Sequence, residues 1–187
     1  SDQKLQDANI TRWMIDTISL LEHVRKTTSD GGEPGGAGNA PRRFVIVGAG
    51  VGGWIAFLLA KNRPDLVAGI VGVGADPDFT EDLLWKSFTP LQKSIIAKEG
   101  GLDLPWGNEI YPITRSLIED GKKNMILRNG ENSLNINCPV RLIHSMVDEE
   151  VPYMTSMKLA QTITGEDCTV TVVKGSGHQL DTEEDFV

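Results

Sequence analysis

The chain has 187 residues, 40% of them apolar, and a formal net charge of −8 at pH 7. That length fits one domain, and the composition is ordinary for a soluble packed protein. The acidity argues against a general nucleic-acid or anionic-membrane binder, and no apolar run approaches the roughly 18–20 residues that a bilayer span needs. No basic, apolar, cleavable leader opens the chain, and Ser1 in place of Met points to a processed or truncated N-terminus. Cys138 and Cys168 make no disulfide framework and read as buried thiols of a reducing compartment. With only three histidines beside them, no metal-ligand spacing is present, so no metal is expected.

The first predicted element is a helix over about residues 10–26. Ile10, Trp13, Met14, Ile18, Leu21 and Val24 recur at spacings of three and four and share one face, with Asn9 or Thr11 to cap the start. The Gly- and Pro-rich stretch from Ser29 to Pro41 has nothing to pack and reads as a flexible surface loop. No Lys-Ser or Lys-Thr follows it at the spacing of a phosphate loop. Phe44–Val47 is an unbroken apolar, β-branched run, as in a strand covered on both faces.

A helix is expected from Val51 to Lys61 and a second buried strand from Leu66 to Val73. From Asp76 to about Asn135 the pattern turns helical, over Phe79–Phe88, Leu91–Lys98 and Tyr111–Leu127, with breaks at Pro90, Pro105 and Pro112. In it Trp85 and Trp106 could line a pocket, although helix packing is the commoner use of tryptophan. A third strand is expected over Pro139–Ser145, a helix over Tyr153–Ile163 and a fourth strand over Thr169–Val173. Strand–helix alternation predicts an α/β fold, a parallel sheet with helices on both faces, interrupted by a helical insertion at about 76–135 of a single domain spanning 1–187.

The turn between the first strand and its helix reads Val47-Gly-Ala-Gly-Val-Gly-Gly-Trp54, and it has three readings. Gly48, Gly50 and Gly53 satisfy the Gly-x-Gly-x-x-Gly fingerprint of a flavin or dinucleotide site, where the helix N-terminus faces a pyrophosphate. That fingerprint expects an acid about twenty residues on, at the end of the second strand, and Leu66–Gly74 carries none. The same segment matches the strained turn of a hydrolase nucleophile, Gly-x-Ser-x-Gly, with Gly48 and Gly52 as the small flanking residues, Gly50 in the serine position and the Val51 amide as an oxyanion donor. The third reading is that the glycines only permit close strand–helix packing.

Two later segments favour the hydrolase turn. Strand Pro139–Ser145 runs into a loop carrying Asp148 and then Val151-Pro152, and strand Thr169–Val173 runs into the glycine-rich loop that ends at His178. The order nucleophile, acid, histidine is that of an α/β-hydrolase, in which the acid fixes the imidazole tautomer and the histidine takes the nucleophile's proton. Of the neighbours, His144 reads as structural, Glu149 and Glu150 as solvated, and His23 has no role.

The chain resembles the α/β-hydrolase family, within it the branch of mitochondrial acyl-glucuronide esterases and palmitoyl-protein thioesterases. The resemblance is carried by Thr11-Arg-Trp13 with Asp16, by Val47–Trp54, by Asn137-Cys-Pro-Val-Arg-Leu-Ile-His-Ser-Met146, and by Asp148, Val151-Pro152, Thr155-Ser-Met157 and Gly177-His178. It implies a catalytic Asp148 and His178, a nucleophile position at Gly50, a mitochondrial setting, an acyl-type small molecule as ligand, and no cofactor. It departs from the family in lacking the serine and the upstream half-sheet. The chain is therefore expected to be part of a longer polypeptide, or to leave a sheet edge open to a protein partner. Two functions follow: a degenerate hydrolase acting as a structural or accessory subunit, or a serine esterase or thioesterase whose residue 50 has been replaced. Flavin or dinucleotide binding is the third and weaker option.

Overall fold

The computed structural model describes residues 8–29, 42–106, 109–175, 177, 178 and 180. The loop expected at 29–41 lies, beyond its first residue, outside these. The chain divides into two compact units, one formed by Met14–Pro77 with Ile126–Val187, the other by Asp78–Met125 with the segment that ends at Trp13. No helix of the described residues is long and apolar enough to cross a membrane.

The first unit is built on a four-stranded parallel sheet of order β1-β2-β5-β6, with β1 at Phe44–Ala49, β2 at Val67–Val73, β5 at Val140–Ser145 and β6 at Cys168–Val173. Helix α2, Val51–Asn62, links β1 to β2, and α5, Met154–Thr162, links β5 to β6. Residues 53–60 of α2 are buried without a break, which is what an all-round apolar helix requires. The strands end level: Ala49 pairs with Val73, Val73 with Ile143, and Ser145 with Val173. The loops after β1, β2, β5 and β6 therefore leave from one edge.

Two glycines set how closely α2 approaches β1 and β2. A Cβ at Gly48 would overlap the Gly52 carbonyl, and one at Gly53 would lie 2.6 Å from the Cβ of Ala75. The coverage of β1 differs from expectation. Val45 and Val47 are 63% and 68% exposed, so β1 is covered on one face only among the described residues. A run of apolar residues records what a strand can tolerate on each face, not what is packed there.

Helix α1, Ile10–Ser29, begins on the expected cap: Asn9 Oδ1 accepts from the Arg12 N–H at 2.9 Å. Within the first unit Arg63 binds both Asp65 (2.8 Å) and Glu22 of α1 (2.5 Å). The Arg63 hydrogen bond holds the Asp65 carboxyl down at about 2. These groups are solvated, so the pairs add little to stability.

The second unit is not all helical as expected. It holds a π-helical turn at Thr80–Trp85, helix α3 at Pro90–Glu99, an antiparallel hairpin of β3 (Gly101–Trp106) and β4 (Glu109–Thr114), and helix α4 at Arg115–Lys123. Tyr111 to Thr114 is thus strand. Leu102, Leu104 and Trp106 alternate with Asp103 and Pro105, a period-two signal. Pro112 is tolerated because a two-stranded sheet consists only of edges. Thr89 and Gln92 form a capping box on α3. The Thr114 hydroxyl accepts from the Leu117 N–H to start α4. Asp120 accepts from the Thr11 N–H (2.7 Å) and hydroxyl (2.8 Å), which places an anion at the N-terminus of α1. Trp85 packs edge-on to Phe88 and lies beside Lys93 and Lys122, 5.4 and 4.9 Å from its ring centre.

Gly48→Ala and Gly53→Ala should each cost about 1–3 kcal/mol by overpacking. Gly52→Ala, whose added Cβ meets nothing within 4 Å, should be neutral or gain up to about 1 kcal/mol from helix propensity. Urea unfolding midpoints of the three variants measure the contrast.

Candidate active site

Gly50 closes the turn between β1 and α2 at φ 51° and ψ −124°, a conformation that an L-residue holds only under strain. Its N–H donates to the Val73 carbonyl (3.1 Å), and its carbonyl accepts from the N–H groups of Gly53 (3.0 Å) and Asp76 (3.1 Å). The turn is thus fixed to α2 and to the end of β2. A Cβ at Gly50 would meet no atom within 4 Å, so the strain is in the backbone and there is room for a side chain. Val51 opens α2, and first-turn N–H groups have no acceptor within their own helix.

Asp148 follows β5 in a tight turn. Its side chain is 1% exposed. Oδ1 accepts from the N–H groups of Glu150 (2.9 Å) and Val151 (2.8 Å). Oδ2 lies 2.8 Å from Nδ1 of His178. Burial alone pushes this carboxyl up, but the hydrogen bonds from Val151, His178 and Glu150 together outweigh it and hold the group below its usual value. A carboxylate only accepts, so the shared proton sits on His178 Nδ1.

The structure therefore brings Asp148 and His178 into direct contact. Gly74 connects this pair to the end of β2. It adopts φ 50°, and its Cβ position lies 3.8 Å from Asp148 Oδ2 and 3.9 Å from His178 Cε1. A side chain there would be strained and pressed against both groups. Residue 73, next to it, accepts the Gly50 N–H, so the glycine turn and the acid–base pair meet across the end of β2.

Three further residues belong to this surrounding. Gly74 is visible in the sequence only as one more glycine after a strand. Glu150 is exposed, as expected, with its Oε2 3.7 Å from His178 Nε2. His144 is fully buried and makes two hydrogen bonds, Nδ1 to the Ser156 hydroxyl and Nε2 to the Val151 carbonyl, both at 2.8 Å. Its Nε2 is also 3.3 Å from Asp148 Oδ2. Cys138 and Cys168 are free thiols that burial pushes up.

No protein-family model matches the chain. Solved structures define its class: the fold is that of the α/β-hydrolases. A protein of Agrobacterium vitis S4 is 26% identical with a TM-score of 0.81, covering 96% of this chain and 65% of that one. The mouse alpha/beta hydrolase domain-containing protein 10 is 24% identical with a TM-score of 0.74, covering 98% of this chain and 67% of that one. In sequence the chain is similar to palmitoyl-protein thioesterase ABHD10, mitochondrial, being 28% identical to the Bos taurus protein over 192 residues and 26% identical to the Homo sapiens protein over 189. Those alignments take in all of this chain and 56% of each relative. The resemblance read from the motifs thus runs the length of the chain, and the chain spans little more than half of these relatives. Between the two uses of the glycine motif, the fold favours the hydrolase turn.

The folded carboxyl of Asp148 lies below its unfolded value of about 3.9. Its contribution to stability is therefore complete above that pH and is lost as pH falls through the folded value. Asp148→Ala leaves the part-buried Val151 N–H and the His178 ring without their acceptor and should cost about 1–3 kcal/mol at pH 7. It should also flatten the acid limb of the stability curve, as measured by urea unfolding between pH 2 and 7, taken here as about the span over which a carboxylate titrates.

Proposed function

We propose that this chain carries the acid–base half of a serine-type ester or thioester hydrolase, with residue 50 as the seat of the nucleophile. The observation that carries the reading is the part-buried Asp148–His178 bond of 2.8 Å, on the same sheet edge as a turn at φ 51° with open space for a side chain. With a serine at 50, His178 Nε2 takes the Oγ proton as Oγ attacks the acyl carbonyl, and the Val51 N–H donates to the oxyanion. The leaving thiolate or alkoxide departs with the proton from His178. Water, deprotonated by the same ring, then releases the acid and frees the serine. Asp148 holds the ring in the tautomer that both steps use.

Gly50 supplies no Oγ, so the first bond does not form. Removing the serine of such a triad costs roughly 10⁶-fold in kcat in a well-measured hydrolase. As it stands, the chain therefore makes no covalent acyl-enzyme. A long-chain acyl thioester as substrate class and a mitochondrial location are inferred from the names of the relatives.

One observation favours the accessory-subunit reading. Among the described residues, strand β1 lies at the edge of the four-stranded sheet and exposes Val45 and Val47 on one face, and the unpaired backbone of an edge strand is a template for pairing with another chain. Light scattering of the native protein beside its intact polypeptide mass tests this, and a monomer at working concentration removes it.

A fluorophosphonate probe should leave the Gly50 chain unlabelled and label Gly50→Ser at residue 50, with the label lost when His178→Ala is added. The serine strains its backbone by about 1–3 kcal/mol, so the circular dichroism of the variant is compared first. Stoichiometric labelling of the Gly50 chain, or a folded Gly50→Ser that stays unlabelled, overturns the reading.

A further inference from the structure

We propose that His144 is a positioning residue of the site: it clamps the carbonyl of Val151, and through that peptide holds the turn that presents Asp148 to His178. The connection is continuous. The Ser156 hydroxyl of α5 meets His144 Nδ1, His144 Nε2 meets the Val151 carbonyl, the Val151 N–H meets Asp148 Oδ1, and Asp148 Oδ2 meets His178 Nδ1, each at 2.8 Å.

The direction of each bond follows from what the groups can do. A carbonyl and a carboxylate only accept. His144 Nε2 faces both, the Val151 carbonyl at 2.8 Å and Asp148 Oδ2 at 3.3 Å, so it carries a proton. In the neutral ring Nδ1 is then bare, and the Ser156 hydroxyl donates to it. Ser156 is fully buried, so water does not compete for that bond.

His144 shares the core-facing side of β5 with Val140 and Leu142, both fully buried. An apolar side chain would fill the same volume with no polar atom to desolvate, whereas a buried imidazole is tolerated only when both nitrogens are met. Both are met, and both bonds end on elements flanking the acid: one on α5, the other on the turn between residues 148 and 151. The titratable groups facing Asp148 are His144 from β5 and His178 from the loop after β6, with Glu150 of its own turn on the far side of the His178 ring. From β2 the nearest residue is Gly74, which brings no charge.

The role rests on reading Asp148 and His178 as an acid–base pair, but its test reads hydrogen bonds and not turnover. In chain labelled with ¹⁵N-histidine, His144 should show its proton on Nε2 and a bare Nδ1. In chain labelled with ¹³C-aspartate, His144→Leu should raise the titration midpoint of Asp148 by about one pH unit, the scale of losing a fixed donor at a carboxylate. His144→Gln, whose amide donates from nearly the same place, should restore most of it. A proton on Nδ1 with a bare Nε2 overturns the proposal. So does a folded His144→Leu with an unmoved midpoint. Equal rises for Leu and Gln also overturn it, because they assign His144 to filling space. If His144→Leu does not fold, the tautomer in the unaltered chain and a Gln variant matching it decide the matter. A clamp that holds while Gly50→Ser stays unlabelled leaves the clamp standing and removes the hydrolase reading.

Discussion

The structure around the site depends on one constraint, that the carboxylate of Asp148 is almost wholly withdrawn from water. An isolated charge so placed would neutralise itself or open the turn. It does neither, because two peptide N–H groups and an imidazole meet its oxygens. Each of those donors must itself be held. The peptide groups are held by the turn into α5, and the imidazole by the loop that leaves β6. The level ends of four parallel strands bring these pieces within hydrogen-bond distance. The sheet thus supplies registration, and the charge supplies the penalty for losing it.

The Gly50 turn stands apart from this network. It is fixed by backbone bonds to β2 and by the tight packing of Gly48 and Gly53, none of which involves a side chain at residue 50. The frame can therefore keep its shape while the residue that would use it is a glycine. The Asp148–His178 bond and a glycine at residue 50 are compatible because different forces hold the two parts.

Much of this was legible in the sequence. The helix expected at Val51–Lys61 is α2 to within a residue, and the order of a glycine turn, Asp148 and His178 pointed to loops that follow parallel strands. The chain did not reveal the β3–β4 hairpin, because Pro105 and Pro112 read as helix breaks when they sit on edges. It did not show that Val45 and Val47 face outward, since composition records what a residue prefers and not what covers it. Gly74 and the His144–Ser156 pair were also hidden. Their partners lie far along the chain or in the path of a turn, and no local spacing encodes such a meeting.

The order β1-β2-β5-β6 has a consequence for how evenly the site is held. Among the described residues, strands β2 and β5 are paired on both sides. Local opening starts where backbone bonds are fewest and most exposed. Asp148 is mounted on β5, an inner strand. Amide exchange should therefore be slow through β5. The charge that cannot be left unpaired is thus carried by a strand that the sheet holds from both sides.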